Sequence, residues 1–265
     1  MVAIEVRRIP MNSGIRWIRK TTAFLIFLAI WHALVTNNVM VPLMFGNLPS
    51  PVDVGKTLIK ALGETTFYYH IAASFVRIFI GSTLALPLAV LLGILIGRTA
   101  WAEDFILPIL DSLRPIPQIS WIPVAILLFP SVEGSIIFIT FLGAFFPILV
   151  NTIAGIREVN PSYILAARSM GATKWQMLTK IYLPDAIPNI LTGFSVGVGI
   201  SWMSVIAAEM ISGKYGIGYY TWTSYTLMAY SETIVGMITI GVMGILCFTF
   251  IQRVEKYLLR WRLEG

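Results

Sequence analysis

From Gly134 to Ile156 the sequence runs without a single Asp, Glu, Lys or Arg, and so does the run from Ala186 to Ala208. An α-helix rises 1.5 Å per residue, so each run is long enough to cross a hydrocarbon core about 30 Å thick. Four more stretches share this character: Thr21–Val35, His70–Gly97 interrupted only by Arg77, Pro115–Val132, and Thr233–Gln252. Pro115–Val132 is short and carries four prolines, so it is expected to cross as a broken or tilted helix. Lipid offers a backbone no hydrogen-bond partners, which leaves helices or closed barrels, and runs of this length specify helices. The expected fold is an all-α polytopic membrane protein with six transmembrane helices. Composition agrees. Charged residues are 12% and apolar residues 57% of 265, where a soluble chain carries about 25% charge. Neither a water-soluble enzyme nor a disordered chain is compatible with that. One cysteine, Cys247, excludes an intrachain disulfide and a thiolate cluster, and two histidines, His32 and His70, leave little for a metal site.

Orientation follows from Lys and Arg, which accumulate on the cytoplasmic side. With six spans, the N-terminal segment (Arg7, Arg8, Arg16, Arg19, Lys20), two loops (Arg98 and Arg114; Arg157, Arg168, Lys174 and Lys180) and the C-terminal tail (Arg253, Lys256, Arg260, Arg262) share one face. They hold 15 of the 19 basic residues, against Lys56, Lys60 and Lys214 opposite, so both termini are expected in the cytoplasm. The first span has a basic start like a secretory signal, but Trp31, His32 and Asn37 make a poor small-residue cleavage site, and it is read as an uncleaved helix. Trp202, Tyr219, Tyr220, Trp222 and Tyr225 cluster around the last outer loop, as interfacial aromatics do.

The loop between spans four and five is written as two short helices. Asn160-Pro161 supplies an N-cap and a first-turn proline, Gly171 sits where a helix C-terminus needs a left-handed residue, and Thr173 with Gln176 forms a capping box. The second helix is expected over Lys174 to about Tyr182, ending before Leu183-Pro184.

Spacing in this loop carries more than its helices. Ala166-Ala167-x-x-x-Gly171, nine residues, then Ile181-x-Leu183-Pro184 resembles the signature loop of bacterial ABC-importer permeases; Leu165 stands where that family's pattern has glutamate. Leu48-Pro49-Ser50-Pro51, Ser74-x-x-Arg77-x-x-x-Gly81, Arg114-Pro115-Ile116-Pro117, Ala207-Ala208-Glu209-Met210 and Gly216-Ile217-Gly218-Tyr219 are similar to the branch importing nitrate, bicarbonate, taurine and alkanesulfonates. The resemblance implies a type I ABC-importer permease fold in the bacterial inner membrane. It implies a homodimeric pore, two ATPase subunits that carry ATP and Mg, and an extracytoplasmic binding protein, with alternating access as the mechanism and no cofactor or metal on this chain. Ser162, Tyr163, Ala166, Ala167, Arg168, Gly171, Ala172, Thr173, Lys174, Leu183 and Pro184 are the residues expected to couple to the ATPases. The domain plan is residues 1–69 (N-terminus, first helix, outer loop), 70–255 (permease core, with the coupling loop at 157–185) and 256–265 (cytoplasmic tail).

Two local matches fail on context. Gly55-Lys56-Thr57 matches the end of a P-loop, but the motif's first glycine would fall at Ser50, between two prolines, so the chain is expected to carry no ATPase site and to be no enzyme. Gly193-x-Ser195-x-Gly197 has nucleophile-elbow spacing, yet lies inside a span where glycines four apart serve helix packing. Arg77 and Glu209 are the ionisable residues nearest the membrane interior and are expected to pair, or to serve the translocation pathway. Gln118, Ser201 and Trp202 are further pathway candidates. An ion-gradient secondary transporter would need intramembrane acids, and Glu209 alone is a thin supply.

Overall fold

The computed structural model describes residues 13–37 and 47–259. Arg7, Arg8, Arg260 and Arg262, on which part of the orientation argument rests, lie outside them. Every regular element among the described residues is helical. Five helices are long and apolar enough to cross a membrane singly: α1 (Ser13–Thr36), α3 (Thr65–Arg98), α7 (Val132–Arg157), α10 (Leu183–Ser212) and α12 (Tyr230–Leu258). Short helices α2 (Pro51–Leu62) and α11 (Ile217–Thr226) lie between them.

The core is a three-helix stack of α3, α7 and α10, and glycines set its register. A Cβ on Gly81 would lie 2.8 Å from Thr140, one on Gly93 2.6 Å from Thr152, and one on Gly97 2.8 Å from Ile156. Numbers rise together, so α3 and α7 are parallel. On the other face Gly193 meets Asn151 at 2.7 Å and Gly143 meets Ser201, so α10 runs antiparallel to α7. Missing side chains let the backbones approach where lipid provides no hydrophobic drive for helix association. The Gly193-x-x-x-Gly197 pair is therefore packing surface, and Ser195 donates a 2.8 Å hydrogen bond to Glu255 of α12.

Parallel α3 and α7 require residues 99–131 to return through the bilayer, and here the sequence expectation needs correction. The helical stretch within Pro115–Val132 covers only Gln118–Leu128, about 17 Å at the helical rise and too short to cross. The return starts at Ala100 and uses four short pieces: α4 (Ala100–Phe105), α5 (Leu107–Leu113), a 3₁₀ turn (Gln118–Trp121) and α6 (Ile122–Leu128). Pro108 and Pro123 each open a piece, where their missing N–H costs nothing. Arg114, expected in a loop, caps α5 within this passage. Glu103 and Asp104 hid its start from a search for charge-free runs, and Glu103 is paired with Arg157 at 2.8 Å.

Candidate functional site

Beyond α7 the chain leaves the stack as a hairpin. Asn160 accepts from Ser162 N at 2.9 Å and starts α8 (Pro161–Ser169). That helix closes in a Schellman turn: Ala172 N donates to Ala167 O and Gly171 N to Arg168 O, both at 3.0 Å. Gly171 has φ +74°, the left-handed conformation the sequence demanded of it. The Thr173–Gln176 capping box forms in both directions and starts α9 (Lys174–Met177). Ala167 and Met177 point inward, while Tyr163, Leu165, Met170 and Trp175 stand exposed, Met170 at 80%. Lys174, Arg168, Thr173, Ser162 and Ala166 are also on the exposed side.

The expected stop before Leu183-Pro184 does not occur. The helix continues from Lys174 to Ser212 through a π turn, Leu178–Tyr182, in which Leu183 N donates to Leu178 O five residues back. Pro184 has no N–H for the carbonyl of Lys180, and its ring would crowd that carbonyl. Widening the turn by one residue accommodates both demands, and Pro184 then sits in the first turn of α10.

At the opposite end of the stack lies a charge knot. Arg77, 2% exposed, projects from α3 and commits both edges of its guanidinium. Nη1 donates to Glu209 Oε1 at 2.7 Å and to the Tyr215 carbonyl at 2.6 Å; Nε donates to Glu133 Oε2 at 2.8 Å and Nη2 to Glu133 Oε1. Glu209 is fully buried, and its carboxylate also takes Gly218 N at 3.0 Å and the Ser74 hydroxyl at 2.8 Å. Ser74 in turn accepts from Ile217 N, and His70 Nδ1 from Gly216 N. The first N–H groups of α11, orphans of any helix start, are thus satisfied by α3 and α10 side chains. Gly216 makes this possible. Its φ is +122°, and a Cβ there would lie 2.2 Å from the Glu209 carboxyl carbon. Beside the knot, in α11, burial and the negative Glu232 and Glu64 push the Tyr220 phenol up to about 12.

Arg77 and Glu209 are therefore brought together, 132 positions apart in the chain. Two members, Glu133 and His70, are not among the expected site residues. Glu133 lies one residue before a charge-free run, and its position at an expected span boundary is the available signal; His70 carries none beyond helical spacing from Arg77, and Ser74 stands in the motif Ser74-x-x-Arg77-x-x-x-Gly81 without a role assigned to it. The other pathway candidates are differently placed. Ser201 is fully buried and donates to the Thr140 carbonyl at 2.7 Å, and Trp202 packs against Phe75 and Gly244. Gln118, half-buried, opens the 3₁₀ turn.

The stack of α3 parallel and α10 antiparallel to α7 thus carries an exposed helix–glycine–helix hairpin at one end and a buried charge knot at the other. Residues 85–263 match the family described as the binding-protein-dependent transport system inner membrane component. The chain belongs to this family. It is 34% identical over 248 residues to the nitrate import permease protein NrtB of Synechocystis sp., covering 90% of this chain and 88% of that protein. It is also 34% identical over 194 residues to the bicarbonate transport system permease protein CmpB of Synechococcus elongatus, covering 73% and 70%. Among solved structures, the MetNI methionine ABC transporter in inward facing conformations aligns with a TM-score of 0.56 at 24% identity, covering 77% of this chain and 97% of that chain. The fold is that of an ABC-importer permease, and the chain is a membrane-embedded transport component. The secondary-transporter alternative is not favoured by its relatives.

Proposed function

We propose that this permease pairs with a second permease chain to form the pore of an ATP-driven importer for a small oxyanion, nitrate or bicarbonate in the first instance and a sulfonate next. Two ATPase subunits supply ATP binding and hydrolysis with Mg, an extracytoplasmic protein delivers the anion, and this chain carries out no bond chemistry. The Arg98–Arg157 end of the stack, with the hairpin, faces the cytoplasm together with both termini.

The observation that carries the coupling role is the exposed hairpin over residues 161–177. Tyr163, Leu165, Met170 and Trp175 stand exposed on the hairpin beside Arg168 and Lys174, on a capped scaffold. Single exposed apolar residues are ordinary, but four together on one projecting hairpin mark an interaction surface. Leu183 and Pro184 join it to α10, so a partner that closes beneath the membrane moves the span itself. The substrate class rests on the relatives named above. Arg77, held by two carboxylates, supports the reading of a fixed tie at the outer end, and Gln118 is retained as the pathway candidate on the interrupted crossing.

The test is copurification. The tagged chain is expressed with the ATPase encoded beside it and purified in mild detergent, as wild type and as Trp175→Glu. The ATPase is expected to copurify with the wild type and to be lost from the variant while the permease stays monodisperse. A wild-type permease that never retains an ATPase, yet moves nitrate along an ion gradient in liposomes, would overturn the reading.

A further inference from the structure

The π turn at Leu178–Tyr182 lies between the hairpin and the span, and a widened turn is where a helix bends. Left to itself it would absorb a displacement of α9 instead of passing it on. The turn is not left to itself. Arg98, last residue of α3, lies over the Tyr182 ring with its guanidinium carbon 4.6 Å from the centroid, a cation–π contact. Tyr182 and Leu183 also pack on the cluster Ile156, Ala186 and Ile190, on which the α3 side chains Leu86, Val90 and Ile94 pack as well. At its far end α3 is joined to α10 again, through Arg77 and Ser74 on Glu209. Helix α3 is therefore tied to α10 at both ends, and the tie at the hairpin end falls on the widened turn.

We infer that Arg98 and Tyr182 are positioning residues for coupling: their contact clasps the π turn to α3, so that movement of the hairpin reaches α3 and α10 together and is not lost in the turn. Pro184 makes the turn and the clasp makes it transmit. Arg98 itself is exposed. The inference rests on the proposal that the hairpin docks on an ATPase.

The experiment uses the assembled permease–ATPase complex in membrane vesicles, with Cys247→Ser removing the native thiol. Single cysteines at exposed outer positions, Tyr69→Cys on α3 and Ile211→Cys on α10, report each helix. Maleimide labelling rates are compared with and without ATP plus vanadate. In the parent both rates are expected to change with nucleotide. In Tyr182→Leu and in Arg98→Ala, the movement is lost in the turn and the changes at Ile211→Cys and at Tyr69→Cys are both lost. The double variant loses no more than either single one, and Tyr182→Phe, which keeps the ring, behaves as the parent. An unaltered α3 response in Tyr182→Leu and Arg98→Ala, or loss of the response in Tyr182→Phe, overturns the inference. Copurification of the ATPase is scored first: its absence from the parent overturns the docking proposal and the inference together, whereas its presence with an unaltered α3 response in the variants overturns the clasp alone.

Discussion

Replacing Gly216 by alanine tests the charge knot at its tightest point. The added methyl would lie 2.2 Å from the Glu209 carboxyl carbon and 2.4 Å from each carboxyl oxygen, and the backbone there is at φ +122°. Such a conformation is open almost only to glycine and costs other residues about 1–3 kcal/mol. The steric overlap adds to this, because the carboxylate has nowhere to go: Ser74, Gly218 N and Arg77 fix it, and the backbone of Gly213 closes against the backbone of Glu209. Displacing it leaves a buried arginine short of one partner, a change of about 3–5 kcal/mol for buried pairs. The two effects share atoms and do not simply add. A loss of at least about 3 kcal/mol is expected. Gly171→Ala is the matched control, since φ is +74° there but no atom lies within 4 Å, so its cost is only the left-handed strain of about 1–2 kcal/mol. Unfolding of both variants in mixed detergent micelles, followed by tryptophan fluorescence, measures the difference. Equal stability of the two would refute the claim that Gly216 is required by Glu209.

Three other outcomes are expected. Arg77→Met leaves the fully buried Glu209 carboxylate unpaired and should cost about 3–5 kcal/mol, while Glu133→Gln, at a side chain 56% exposed, should cost about 1 kcal/mol or less; the same micelle assay ranks them, and a reversed order would contradict the geometry. Asn160→Ala removes the cap on Ser162 N and should weaken the start of α8 by about 1 kcal/mol, seen as faster hydrogen exchange confined to the first turn of that helix. The Tyr220 phenol titrates at about 12 when folded, above its unfolded value. Its contribution is complete below pH 10 and is lost as pH rises toward 12, so the stability difference between wild type and Tyr220→Phe should shrink across that interval. A difference flat in pH would show the phenol to be solvated.

The hairpin was legible residue by residue because its determinants are local. Asn160, Pro161, Gly171, Thr173 and Gln176 act on neighbours within five positions, and each does in the structure what its chemistry requires. The long spans were legible for a similar reason: lipid enforces an absence of charge that a sequence displays directly. The third crossing was not, because its pieces tolerate Glu103, Asp104 and Asp111 and are interrupted at every proline. The parallel packing of α3 on α7 requires residues 99–131 to make the return, whose first helix starts at Ala100. Pro184 was read as a stop because proline ends an isolated α-helix; a π turn, supported by packing against α3 and α7, lets the helix pass. Sequence placed Arg77 and Glu209 in the membrane and so demanded partners for both, but pairing depends on which helix faces meet. Glu133, Ser74, His70 and the open N-terminal end of α11 meet them only once three spans have stacked, since no local pattern relates residues 56 to 146 positions apart.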